Sequence, residues 1–196
     1  MDECCRIVLT GGPGGGKTTA ADLFRREIGP EVVVVPEAAT ILYSGGFPRT
    51  GDNGVLRATQ RAIYHTQINL EEAQASHYRK RILLCDRGTI DGAAYWPGEP
   101  EDFFKHQKTT LKKELRRYDA VIFFETAAVG GISIEGGNPA RIESLEEALK
   151  LDKKLKRLWS QHTNFVFVPH ELSFMSKINK GLLELAKLIS YQDGKK

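Results

Sequence analysis

The residues Gly11-Gly12-Pro13-Gly14-Gly15-Gly16-Lys17-Thr18 fit the spacing G-x-x-x-x-G-K-[ST]. The chemistry this pattern serves is the gripping of a nucleotide's phosphates. Its glycines let the backbone curl until successive N–H groups point at phosphate oxygens, and the positive end of the helix that follows adds to the attraction. Lys17 is expected to reach the β- and γ-phosphates as a catalytic cation, and the Thr18 hydroxyl to ligate Mg²⁺. Gly12, Pro13, Gly14, Gly15, Gly16, Lys17, Thr18 and Thr19 form the expected phosphate site. The alternative, a glycine-rich turn with a chance lysine, sits badly with the apolar run before the motif and the helical pattern after it.

Further residues could act on a bound phosphate. In Ile82-Leu-Leu-Cys-Asp86 a carboxylate ends an apolar run, the place where open α/β sheets present ligand-binding groups. Asp86 is therefore a candidate Mg²⁺ ligand, direct or through water; capping the next turn is the alternative. Arg87 follows at once, and is read either as a substrate contact or as half of a salt bridge. Glu37, just past Val32–Pro36, could accept the proton of an attacking hydroxyl, or simply open the next helix with the charge its dipole favours. Arg141 ends a glycine-rich stretch and is a candidate for neutralising charge on the transferring phosphate; a surface pair with Glu143 or Glu146 competes. Arg49 in Gly46-Phe-Pro-Arg49 is a weaker substrate candidate, and Gln60 and Gln67 could read the edge of a base.

These side chains need a scaffold that brings them to one edge. Short, nearly continuous apolar runs alternate with longer helical patterns, which predicts βαβ units and a parallel sheet covered on both faces. The predicted strands are Arg6–Thr10, Val32–Pro36, Arg81–Asp86, Ala120–Glu125 and Phe165–Pro169. The helical patterns run over Lys17–Ile28, Val55–Lys80, Glu101–Arg117, Leu145–His162 and Ser176–Tyr191. Ser144-Leu-Glu-Glu147 has the form of a capping box. A single domain over residues 1–196 is expected, with a lid-like segment at about 126–143.

The 196 residues are 41% hydrophobic and carry a formal charge of +3, too mild to argue nucleic-acid binding. The basic stretches Lys105–Arg117 and Lys150–Arg157 interleave leucines at helical spacing, as solvated faces of amphipathic helices do. The cysteines Cys4, Cys5 and Cys85 make no disulfide framework, and the five histidines lack metal-ligand spacing. The start of the chain has no secretory pattern and no apolar run nears the roughly 18 residues of a membrane span. A cytoplasmic location is expected.

Thr10–Thr19, Val35-Pro-Glu37-Ala-Ala39, Cys85-Asp-Arg-Gly-Thr89 with Asp91-Gly92, and Asn138-Pro-Ala-Arg141-Ile-Glu143 together carry a resemblance over nearly the whole chain. The sequence resembles a P-loop kinase-like family of ATP-binding proteins described as AAA-type ATPases. These are akin to the ribosylnicotinamide kinase domain of the bacterial NAD regulator and, more distantly, to deoxynucleoside kinases. The resemblance implies a P-loop NTPase three-layer α/β sandwich, its five-stranded parallel sheet of nucleoside/nucleotide-kinase type in the order 2-3-1-4-5. It further implies an adenine site near Pro169–Leu172, Glu37 as base, an Asp86-Arg87 pair at the third strand, and Arg141 as the lid arginine. ATP with Mg²⁺ is the implied ligand, in preference to GTP, and no N-K-x-D guanine motif is evident.

The leading expectation is an enzyme that moves the γ-phosphoryl group of ATP to a hydroxyl of a small nucleoside-like or other polar acceptor. An ATPase or GTPase switch acting on a protein partner, and a polynucleotide end kinase, are the other two.

Overall fold

The computed structural model describes residues 4–131 and 144–193. Five strands, β1 (Cys5–Thr10), β2 (Val32–Val35), β3 (Ile82–Asp86), β4 (Ala120–Phe124) and β5 (Phe165–Val168), form one parallel sheet in the order β2-β3-β1-β4-β5. The sheet order and strand positions agree with expectation to within a residue at each end. Because every strand points the same way, Thr10, Val35, Asp86, Phe124 and Val168 arrive at one edge.

The helices are α1 (Lys17–Ile28), α2 (Ala38–Ser44), α3 (Asn53–His77), α4 (Asp91–Tyr95), α5 (Pro100–His106), α6 (Leu111–Leu115), α7 (Leu145–Trp159) and α8 (Phe174–Asp193). Alternation along β1 splits them into two layers: successive side chains of a strand leave opposite faces. Val8 joins Leu83, Cys85, Phe123 and Trp159 in one core with α3, α4, α5 and α7. Ile7 and Leu9 join Phe24 of α1 and Ile178 and Leu185 of α8 in the other. Burying a Phe or Leu of this kind contributes about 2 kcal/mol.

The Ser144 capping box is present in full and starts α7. The expected helix over Glu101–Arg117 is instead two short ones. The chain turns at Gln107–Thr110, where Lys108 takes φ 53° and Thr110 caps α6 by accepting from the Lys113 N–H. The break has a reason: Thr109 can then donate to buried Glu114 at 2.6 Å, a contact one continuous helix would not offer five residues apart. No helix among the described residues is long and apolar enough to cross a membrane.

Candidate functional site

The loop between β1 and α1 lies at the carboxyl edge of the sheet and is shaped by contacts on its outer side. Gly16 is the α1 N-cap in the left-handed region, φ 87°, where glycine costs nothing. A Cβ on Gly11 would sit 2.0 Å from the Phe124 carbonyl oxygen, so no other residue fits there. Lys17 is buried, and its ammonium donates to the Gly12 carbonyl at 2.8 Å. Thr126 donates through its hydroxyl to the Pro13 carbonyl. Asp152 on α7 accepts from the N–H groups of Gly12 at 2.8 Å and of Thr126 at 3.0 Å with one oxygen.

Asp86 stands beside this loop, buried at the end of β3. Burial pushes its carboxyl pKa up, and the Glu37 charge pushes the same way; a hydrogen bond from Thr18 and the charges of Lys17 and Arg87 pull against them. Its Oδ1 is buried with no hydrogen-bond partner among the described residues. A hard divalent cation answers both conditions, supplying charge to the carboxylate and a ligand to the orphaned oxygen. Thr18 and Asp86 therefore fit Mg²⁺, and the glycine cradle with Lys17 fits a polyphosphate. The described residues contain no cluster of three or more His, Cys, Asp or Glu side chains suited to a metal, so any cation here leans on phosphate and water for its remaining ligands.

Arg87 adopts φ 73°, a conformation that costs a non-glycine residue about 1 kcal/mol. The turn aims its guanidinium at two carboxylates: Nε donates to Glu37 Oε1, and Nη1 to Asp91 Oδ2 at 2.9 Å. Asp91 also accepts from the Thr10 hydroxyl at 2.9 Å and from the Trp159 indole N–H at 2.7 Å. Thr40 donates to Glu37 at 2.6 Å. Burial alone would raise the Glu37 pKa; the Arg87 charge, the Thr40 hydrogen bond and the Lys17 charge outweigh it and hold the group down at about 2. Glu37 is thus a carboxylate throughout the neutral range, and it also stands at the α2 N-terminus without capping it through its side chain.

This network floors a cavity of about 420 Å³ that touches the phosphate loop at Pro13. Glu37, Arg87 and Asp91 line its inner end, Leu56, Ile63 and Tyr95 its apolar flank. Arg49 lines it with its guanidinium stacked 4.0 Å over Tyr43. Gln60 lines it too; its side chain is almost fully buried and makes no hydrogen bond to the described residues. Gln67 does not reach the cavity and donates to Glu71 at 3.1 Å.

The structure thus gathers Lys17, Thr18, Asp86, Glu37, Arg87 and Arg49 at one edge. Thr19 is exposed on the first turn of α1, one residue past the loop proper. Arg141 lies outside the described residues. The described start of the lid-like segment, Thr126–Gly131, packs under the phosphate loop through Thr126, which is wholly buried.

Several residues of the site went unassigned in the sequence. In the sequence Asp91 stands out only as part of the Asp91-Gly92 pair within the resemblance. Asp152 occupies an apolar position of α7 in step with Ala148, Leu155 and Trp159, and an acid on a core face is the signal that could have found it. Thr126 offers no such signal.

A five-stranded parallel sheet in this order, with a G-x-x-x-x-G-K-T loop entering a helix at its carboxyl edge, defines a P-loop NTPase. Residues 6–172 match the family model described as AAA domain, and the chain belongs to this AAA-domain family. It is a nucleotide-binding P-loop protein of that kind. No curated protein matches the chain in sequence.

Proposed function

We propose that this protein is an ATP-dependent phosphotransferase, moving the γ-phosphoryl group of ATP to a hydroxyl of a small polar acceptor such as a nucleoside. The observation that carries the reading is the cavity of about 420 Å³ beside the phosphate loop, lined by Glu37 held by Arg87. An enzyme that only hydrolyses ATP has no need of an organic-sized chamber there. The apolar flank suits a flat ring, and the unpaired Gln60 amide offers such a ring one donor and one acceptor.

In this reading the phosphate loop and Lys17 bind the triphosphate, and Thr18 and Asp86 hold Mg²⁺. The ion, when bound, neutralises charge on the phosphates. The acceptor hydroxyl donates to Glu37, which orients its oxygen toward the γ-phosphorus. The new P–O bond forms as the bond to the β,γ-bridging oxygen breaks, and ADP leaves. A carboxylate with a pKa near 2 is a feeble base, so the hydroxyl proton transfers late, once bond formation has made it acidic. It then passes from Glu37 to solvent. Arg87 is the positioning residue that keeps Glu37 ionised, and Lys17 and Arg141 stabilise the moving charge. The adenine ring is assigned to the region of Pro169–Leu172.

The test is transfer of label from γ-labelled ATP with Mg²⁺ to a panel of nucleosides and vitamin-like metabolites, with Lys17→Ala as blank. A labelled organic product that disappears in Lys17→Ala supports the proposal. Acceptor-independent release of inorganic phosphate alone overturns it in favour of an ATPase switch.

A further inference from the structure

The peptide groups of a phosphate loop must turn their N–H ends inward, and something must hold their carbonyl ends outward. The trans peptide is planar, so pinning a C=O on one side fixes the next N–H on the other. The Pro13 carbonyl is pinned by Thr126, which directs the Gly14 N–H the opposite way. The Gly15 carbonyl is pinned as well, by the ammonium of Lys177, at 2.9 Å.

Lys177 lies in the first turn of α8, beyond the segment that matches the family. It is almost completely buried, 3% exposed, where a lone cation is costly unless it is fully used. Its second donation goes to the Glu125 carbonyl at the end of β4, and the face of Phe124 lies 5.9 Å away. Three residues earlier, the Phe174 ring covers the outer side of Gly16: a Cβ built there would meet the ring at 2.7 Å. One helical turn thus grips both residues that precede Lys17. This is more than packing demands, since a methionine at position 177 would fill the same space without burying a charge.

We propose that Lys177 is a positioning residue of the nucleotide site, holding the Gly15–Gly16 peptide so that the Gly16 N–H faces the bound phosphates and adding a positive charge behind the loop. The proposal rests on the phosphate loop as a nucleotide site and not on the identity of the acceptor. Its test is a binding measurement, so it can fail while phosphotransfer stands, and the reverse.

The surroundings of Lys177 agree with such a role. Burial lowers its pKa from the ordinary lysine range to about 8, against the opposing pull of Asp152 on α7 and Glu125 at the end of β4. The phosphate loop itself meets it only with the Gly15 carbonyl. Phosphate oxygens arriving on the far side of that peptide bring negative charge toward an ammonium that holds its proton loosely.

The experiment compares wild type, Lys177→Met and Lys177→Gln by calorimetric titration with Mg²⁺ and the non-hydrolysable ATP analogue AMP-PNP at 10 °C, with melting followed separately. Removing a hydrogen bond from a charged group at the site predicts a Kd weakened about 10- to 100-fold in Lys177→Met, with a smaller loss in Lys177→Gln. A lowered melting temperature with an unchanged Kd at 10 °C would reduce Lys177 to a packing residue and overturn the proposal. Should neither variant fold, the wild-type protein gives the answer. The ¹³Cε resonance of Lys177, titrated with and without Mg²⁺ and AMP-PNP, should show its midpoint rise above 8 on binding. An unmoved midpoint would contradict the proposal.

Discussion

Two buried polar networks flank the turn after β3, and they use the same chemistry to opposite ends. In the first, Arg87 joins Glu37 and Asp91, with Thr10, Thr40 and Trp159 completing the set. In the second, Glu71 accepts from Arg117 at 2.9 Å, Tyr118 at 2.8 Å and Gln67 at 3.1 Å. Tyr118 and Thr89 carry that network on to Glu114, which also accepts from Tyr64. Both contain two carboxylates, an arginine and threonine hydroxyls. The difference is what they face. Three charged members of the first line the cavity beside the phosphate loop, whereas Glu71 is wholly enclosed and Glu114 nearly so. A buried ion network is therefore not by itself a sign of chemistry. Its exposure to a ligand-sized space is what separates a site from a strut.

That contrast can be broken by mutation. Glu71→Ala leaves the Tyr118 and Gln67 donors without their acceptor and Arg117 with Glu114 alone, 3.8 Å away, and is expected to cost about 4 kcal/mol of stability by urea unfolding, while turnover per folded molecule stays at the wild-type level. A comparable loss of turnover in the folded fraction would erase the distinction between the networks.

Acid acts on the first network through Glu37. The Glu37 carboxyl is depressed from 4.5 to about 2, so its stabilising contribution is complete above pH 4.5 and is lost as the pH falls toward 2. A shift of that size corresponds to roughly 3 kcal/mol, and Glu37→Gln should flatten the wild-type decline in unfolding free energy across this window. An identical acid profile in the variant would mean that other carboxylates dominate.

The smallest expected effect lies at the far wall. Gln60→Leu should raise the acceptor KM about tenfold and leave the KM for ATP alone, the signature of a lost polar contact to one substrate. Equal effects on both would move Gln60 out of the acceptor pocket.

The legible and illegible parts of this chain differ for a physical reason. The sheet and the phosphate loop are written in contiguous residues: apolar runs such as Ile82–Asp86, and glycines whose spacing alone implies a curled backbone. Glu37, Asp86 and Arg87 were legible because each stands at a strand end, which the topology delivers to one edge. The residues that brace the loop come from far along the chain. Asp152 meets Gly12 across 140 positions and Lys177 meets Gly15 across 162, and no local pattern encodes such a pairing. Their trace is negative, a charged side chain occupying a core-facing helix position. The break in Glu101–Arg117 was hidden likewise, because what ends the helix is the pull of a buried carboxylate on Thr109.

The account turns on Glu37 facing an acceptor. The most direct measurement is the rate of γ-phosphoryl transfer by Glu37→Gln, set beside its Kd for Mg²⁺ and AMP-PNP. The account predicts transfer slowed about 100-fold with nucleotide affinity within about threefold of wild type. Transfer at the wild-type rate, or a loss explained wholly by weaker nucleotide binding, would contradict it.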